Sequence, residues 1–237
     1  MRTVVEFEPA TCSLFLWRAV EAMHRVATMV LVDTLDEQSA LERELEKSKP
    51  PLPDQLTHLH WLLFTPFRYP PLPTGSRFRG PGDPGVFYGA ESQRTACAEL
   101  GYWRWRFLMD CPGLDSIDPM PQTLFQTEVT GTAIDLREPK WAVRQEAWMH
   151  PTNYAPCQQI ADRARRSSIQ MIRYASVRDQ QAGACAAILD PAAFSKPAPI
   201  ALEGWMLSVS KERVFWRSGS VFDDKSFDFK TDGWCLS

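Results

Sequence analysis

Apolar residues recur at mostly three- and four-residue intervals through the start of the chain: Leu14, Leu16, Trp17, Val20, Met23, Val26, Met29 and Val30. That spacing gathers them on one helical face and predicts an amphipathic helix. A second helix is predicted from Asp33 or Thr34, through Leu41, Leu45 and the charged segment Glu42–Lys47, to a stop at Pro50-Pro51. Residues 1–55 thus read as a helical extension and residues 56–237 as the main domain. Packing on that domain is favoured over a contact with a partner or a second copy, because amphipathic helices mostly bury their face within their own fold.

Beyond the extension, Leu52–His60 predicts a short helix. Trp61-Leu62-Leu63-Phe64 leads to Phe67-Arg68-Tyr69, an apolar and aromatic run cut by Pro66 and Pro70, which predicts a strand entering a loop. Residues 70–85 are dense in proline and glycine and read as irregular. Gly85–Ala90 is β-branched and aromatic, hence a strand, and Ser92 then caps a helix from Gln93 to about Met109, stopped by Cys111-Pro112-Gly113. Strand-like stretches at Leu124–Val129 and Thr132–Leu136 precede a helix from about Pro156 to Ser167. A hairpin of Ile169–Val177 and Ala184–Leu189 turns at Asp179–Gly183, and strands follow at Trp205–Ser210 and Val214–Phe222.

With 237 residues, 44% hydrophobic and 23% charged, the chain is long enough for one domain with a sizeable core. A net charge of −3 supplies no overall field to gather nucleic acid, so no direct contact with it is expected. The six cysteines are scattered, without C-x-x-C or zinc-like pairing with histidine, which predicts reduced thiols and no metal site. Glu6 and Glu8 stand where a signal peptide needs basic and apolar residues, and no run approaches ~18 apolar residues, so a soluble cytoplasmic protein away from membranes is expected.

Several features have bland readings. Gly80-Pro81-Gly82-Asp83-Pro84-Gly85 matches G-x-G-x-x-G, but it does not follow a strand and open a helix as a dinucleotide fingerprint must. His58 and His60 are spaced to point to different faces of a helix. Trp103, Trp105 and Met109 read as packing residues, and Arg163, Arg165 and Arg166 as a solvated face. What remains is a constellation: Arg68, Arg77 and Arg79 flank the loop, Tyr88 lies on the next strand, and Glu99 sits on the helix that follows. Thr95, Ala96, Tyr102 and Trp103 surround Glu99 at helical spacing, an unusual set for a solvated face, which makes it a candidate for a carboxylate facing a cleft.

Five ordered blocks carry a resemblance to a known family. They are Phe67-Arg68-Tyr69, Gly75-Ser76-Arg77-Phe78-Arg79-Gly80, Gly85-Val86-Phe87-Tyr88-Gly89-Ala90, Thr95-Ala96-Cys97-Ala98-Glu99-Leu100 and Ile172-Arg173-Tyr174-Ala175-Ser176-Val177-Arg178. In order and spacing, over roughly residues 60–195, they resemble the RES domain. The resemblance implies an α+β fold similar to ADP-ribosyltransferases, a mixed β core with flanking helices, to which the N-terminal helical extension is added. It also implies NAD⁺ as a substrate with no further cofactor, and a role as the toxin of a toxin–antitoxin pair whose antitoxin carries a helix-turn-helix part and blocks the site. The family's arginine maps to Arg68, its loop arginine to Arg77 or Arg79, its tyrosine to Tyr88, its glutamate to Glu99 and its serine to Ser176; Tyr69 joins the substrate contacts through its block. The loop departs from the family's usual Gly-Gly-Arg-Trp-Asn.

These residue types suit cleavage of a nicotinamide–ribose bond. The transition state is oxocarbenium-like, and nicotinamide leaves as a neutral molecule without needing a general acid, so one carboxylate, Glu99, suffices to steady the positive ribose. A guanidinium grips pyrophosphate with paired bonds, the role expected of Arg68 with Arg77 or Arg79. Tyr88 is expected to stack on the nicotinamide or to orient Glu99. Ser176 shares a strand face with Ile172 and Tyr174 and is expected to position groups by hydrogen bonding; no histidine base accompanies it, so it is not read as a nucleophile. Water and phosphate stay open as ribose acceptors. An ADP-ribosyltransferase acting on a protein, and a catalytically silent binding module, are the alternatives, and a homodimer stays open.

Overall fold

In the computed structural model, which describes residues 7–22, 32–70, 73–220 and 224–234, Ala10–Glu21 form a strand, β1, where the spacing predicted a helix. Leu14 and Leu16 are buried on one face, while Trp17 and Ala19 turn to the other. β1 runs antiparallel to β3 (Ser116–Asp135) along its whole length, from Ala10 opposite Ala133 to Glu21 opposite Gln122. Burial on both faces and a full ladder of pairs outweigh intrinsic propensities, which differ by less than about 1 kcal/mol per residue. Residues 10–21 are therefore part of the sheet. Met23, Val26, Met29 and Val30 lie outside the described residues. The second expected helix is present as α1 (Leu35–Lys47), opened by a capping box between Thr34 and Glu37.

The run at 61–69 also differs from expectation. It forms a helix, α2 (Trp61–Arg68), capped by His60, whose Nδ1 accepts a bond from the Leu62 N–H. Leu56, Leu59, Leu62 and Leu63 are all buried in one cluster, a helical spacing that the neighbouring prolines mask. Pro66 sits inside this two-turn helix, where it forfeits one backbone bond that packing on the sheet offsets. Leu52–His60 contains a single 3₁₀ turn, Asp54–Leu56.

Elsewhere local signals and structure agree. β2 (Phe87–Ala90), α3 (Gln93–Met109), α5 (Ala155–Arg166), β4 (Met171–Ala175), β5 (Ala184–Ile188), β6 (Ala201–Ser210) and β7 (Arg213–Ser218) stand where the pattern places them. A short α4 (Gln145–Trp148) and a last strand, β8 (Ser226–Lys230), are additions.

The strands make one eight-stranded mixed sheet in the order β1-β2-β5-β4-β3-β6-β7-β8, with β1 returning to pair with β3. The pairings from β1 through β2, β5, β4 and β3 form a closed circuit, and β6–β8 extend from it as a wing. β3 and β4 pair in parallel, joined by the crossover that carries α4 and α5. The circuit is all but open between β1 and β2, which pair only at Trp17 and Ala90. α5 covers one face of the circuit through Ile160, Ala161 and Ala164, and α2 covers the other through its leucines. α3 lies on the wing, where Tyr102, Trp105 and Leu108 bury against Trp205, Leu207 and Trp216; each such side chain contributes about 1.5–3 kcal/mol. This α+β architecture, strands and helices around a mixed sheet, is the expected one. No described helix is long and apolar enough to cross a membrane.

Candidate active site

Helix α3 brings the central carboxylate into place. Ser92 caps it, its Oγ accepting from the Thr95 N–H at 3.1 Å. Because successive turns repeat every 3.6 residues, Ala96, Glu99, Leu100 and Trp103 form one stripe, and this stripe lines a cleft of about 660 Å³. The opposite stripe is the one buried on the wing. The cleft opens at the seam where β1 and β2 part, so Trp17 and Arg18 from β1 and Tyr88 from β2 also line it. Its size is that of a small-molecule site, which generally spans ~300–1,000 Å³.

Glu99 is held by Ser176, which follows β4 and is 1% exposed. The Ser176 hydroxyl donates to Glu99 Oε1 at 2.5 Å and accepts from the backbone N–H groups of Arg178 at 3.1 Å and Asp179 at 3.0 Å. One donor and two acceptor positions are all that a hydroxyl has. The Ser176 hydroxyl therefore has its donor and both acceptor positions occupied. The turn that carries it is clamped to α3: Thr95 Oγ1 donates to Asp179 Oδ2 at 2.9 Å, and Arg94 pairs with Asp179 Oδ1 at 3.3 Å. Burial pushes the Glu99 carboxyl above its ordinary range, while the Ser176 bond and the nearby charges of Arg178 and Arg77 pull it back. The Cys185 thiol lies 4.0 Å from the same oxygen.

Three arginines line the cleft, Arg18, Arg77 and Arg178, and of these Arg178 and Arg77 act electrostatically on the Glu99 carboxylate. Arg77 reaches the carbonyl oxygens of Trp148 at 2.8 Å and His150 at 3.1 Å and lies over the Tyr154 ring. Arg178 donates to the Pro151 carbonyl and lies over the Tyr102 ring. Arg18 donates to the Tyr88 carbonyl at 2.9 Å and, among the described residues, has no carboxylate partner. Burial lowers Arg18 to about 10, which leaves it cationic at neutral pH.

The loop bearing Arg77 is tied down from both sides. Ser76 and Arg79 bridge through their backbones, and Gly75 enters that turn at φ +67°, where a Cβ would stand 2.2 Å from the Arg79 carbonyl oxygen. Phe78 is buried against Tyr174 with ring centroids 4.9 Å apart. Tyr88 completes the clamp, its hydroxyl accepting from the Phe78 N–H at 2.9 Å and pairing with Ser76 Oγ at 2.8 Å. Burial pushes the Tyr88 phenol up to about 12, so it stays protonated. The hydroxyl thus serves the loop and does not touch Glu99.

Of the residues singled out from sequence, Glu99, Ser176, Tyr88 and Arg77 come together, and Arg68, Tyr69 and Arg79 stand apart from the cleft. Arg68, at the end of α2, is 7% exposed because it bonds Glu46 and the Pro50 carbonyl, each at 2.6 Å, and so ties α1 to α2. Arg79 donates to the carbonyls of Asp83 and Tyr69 and, unlike Arg77, does not line the cleft. Sequence reasoning missed Arg18, whose signal is a lone cation within the otherwise continuous apolar run Leu14–Val20. Arg178 stands in the fifth block with no role expected of it, and Trp103, expected to pack, is 53% exposed at the cleft. Among the described residues no three of His, Cys, Asp and Glu gather as metal ligands.

Comparison with known proteins gives one family match, to the RES domain, over residues 52–216, well over half of the chain. Among solved structures, a chain of the M. tuberculosis MbcT–MbcA toxin–antitoxin complex is similar at a TM-score of 0.46 and 12% identity, with 94% of this chain and 87% of that chain covered. No curated protein matches the sequence.

Proposed function

The chain belongs to the RES domain family, and we propose that its cleft binds NAD⁺ and breaks the bond between the nicotinamide nitrogen and ribose C1′. The observation that carries this reading is a single carboxylate, Glu99, fixed by Ser176 at 2.5 Å in a cleft that Arg18, Arg77 and Arg178 also line. The bonding pair departs with nicotinamide, which leaves neutral, and the positive charge passes to the ribose. Glu99 in its ionised form stabilises that oxocarbenium and accepts bonds from the ribose hydroxyls. Arg18, with bonding positions not used by the Tyr88 carbonyl, takes the pyrophosphate role that sequence reasoning gave to Arg68, and Arg77 assists it. The loop clamp at Tyr88 keeps Arg77 in place. Water or phosphate then captures C1′.

Family membership and the resemblance of residues 67–178 support the wider role of a toxin that depletes NAD⁺ and is held in check by an antitoxin with a helix-turn-helix part. The test is to incubate the purified protein with NAD⁺, with and without phosphate, and to follow nicotinamide by chromatography. Release that Glu99→Gln abolishes is the expected result, and the phosphate dependence identifies the acceptor. No release in either buffer, with no antitoxin present, overturns the reading.

A further inference from the structure

Trp103 is a large apolar side chain left 53% exposed, on the same stripe of α3 as Glu99 and four residues beyond it. Four residues advance a helix by about 6 Å, which places Trp103 one turn beyond Glu99, within reach of a ring bonded to a carbon held at that carboxylate. Leu100 on the same stripe and Trp17 on β1 give the adjoining cleft wall an apolar, aromatic character. Tyr88, the other aromatic candidate for stacking, has its hydroxyl tied to the 76–78 loop. We propose, resting on the NAD⁺ reading, that Trp103 forms the platform on which the nicotinamide ring stacks and so determines affinity for the intact, positively charged substrate.

Two arguments select nicotinamide over adenine. The reacting C1′ must lie against Glu99, and the ring bonded to C1′ is the one base within a ring's length of that carbon; adenine is separated from it by the pyrophosphate and a second ribose. Nicotinamide in NAD⁺ is also a pyridinium, and indole is the best of the aromatic faces for a cation. That attraction is full in the ground state and fades as the bond breaks and the ring becomes neutral. Trp103 therefore acts on binding more than on the chemical step, and it holds the departing product less firmly than the substrate.

The experiment measures kcat and KM for NAD⁺ by nicotinamide release in wild type, Trp103→Ala, Trp103→Leu and Trp103→Phe. It also measures direct binding of 1-methylnicotinamide, a pyridinium without a ribose. Expected are a KM raised roughly tenfold in the alanine and leucine variants with kcat unchanged or raised, recovery of most of the loss in Trp103→Phe, and weaker 1-methylnicotinamide binding in the first two. Trp103→Leu keeps apolar bulk without a ring, so it answers the question if Trp103→Ala fails to fold. A KM that does not move, or a kcat that falls without it, overturns the assignment. Wild-type protein that releases no nicotinamide defeats the NAD⁺ reading itself, while 1-methylnicotinamide binding lost with the ring still upholds the aromatic platform.

Discussion

The Ser176 hydroxyl donates its one proton to Glu99 while two backbone N–H groups, of Arg178 and Asp179, occupy its lone pairs. The serine thereby joins a hairpin turn to the carboxylate of a helix far away in sequence, and its bond opposes the rise that burial imposes on that carboxyl. Removing it acts through Glu99.

Ser176→Ala removes a hydrogen bond that favours the charged carboxylate. Burial already raises Glu99, so its pKa rises further. On the proposed mechanism, activity needs the ionised form, which is present above that pKa and lost as pH falls through it. The acid limb of kcat/KM for nicotinamide release should therefore move to higher pH in Ser176→Ala, with activity at neutral pH lower by roughly tenfold to a hundredfold, the scale of a hydrogen bond to a charged group. A variant that loses activity with its acid limb unmoved would show that Ser176 acts by another route.

Glu99→Gln should lose activity and gain stability. The folded carboxyl has a raised pKa, so the folded protein binds that proton more tightly than the unfolded chain does. Below the unfolded pKa both states are protonated and no penalty exists; as pH rises through the folded value, folding must bear a buried charge. The neutral glutamine escapes that penalty. At pH 7 its Tm should exceed wild type by about 2–4 °C, the shift that ~1 kcal/mol gives a chain of this size, and the difference should shrink as pH is lowered towards 4. Thermal melts across that range check both the sign and its pH dependence.

What was legible in the sequence followed from local signals. Ser92 as cap and Cys111-Pro112-Gly113 as stop framed α3 to its observed ends, and the alternation of Ile172, Tyr174 and Ser176 placed the serine on the correct side of β4. β1 was not legible, because Leu16 and Val20 satisfy a strand period and a helix period alike, Trp17, Val20, Met23 and Val26 continue at three-residue spacing, and its partner β3 lies about a hundred residues away. That error hid Arg18: a cation in an appended helix is a solvated charge, whereas a cation in a strand at the β1–β2 seam faces the cleft. Arg68 lies away from the cleft for the complementary reason, since its partners Glu46 and Pro50 belong to a segment read as separate from the domain.

Arg18 and Arg68 should accordingly part company under mutation. Arg18→Lys keeps the charge but loses the fork that grips a pyrophosphate, so KM for NAD⁺ should rise roughly tenfold with little change in melting temperature. Arg68→Ala removes a bond to Pro50 and an ion pair to Glu46, so it should cost about 1–3 kcal/mol of stability while the folded enzyme keeps its KM. Kinetics and thermal melts on both variants check the contrast. A KM defect in Arg68→Ala at unchanged stability would return the substrate role to Arg68.

Gly183 closes the turn that carries Ser176, its carbonyl accepting from the Ser176 N–H at 2.8 Å. A Cβ at this position would lie 2.0 Å from Thr95 Oγ1, and that oxygen is held by its bond to Asp179 and cannot swing away freely. Gly183→Ala must push the turn off the start of α3, which draws Ser176 away from Glu99. Expected are a stability loss of about 1–3 kcal/mol, typical of overpacking, and a fall in kcat beyond what the remaining folded fraction explains. Thr95→Ala alone should also destabilise, because Asp179 loses a partner. In the double variant the two losses should add to less than their sum, since the collision needs both side chains. Strict additivity in a double-mutant cycle would mean that the turn is not pressed against α3 and that Ser176 owes its position to something else.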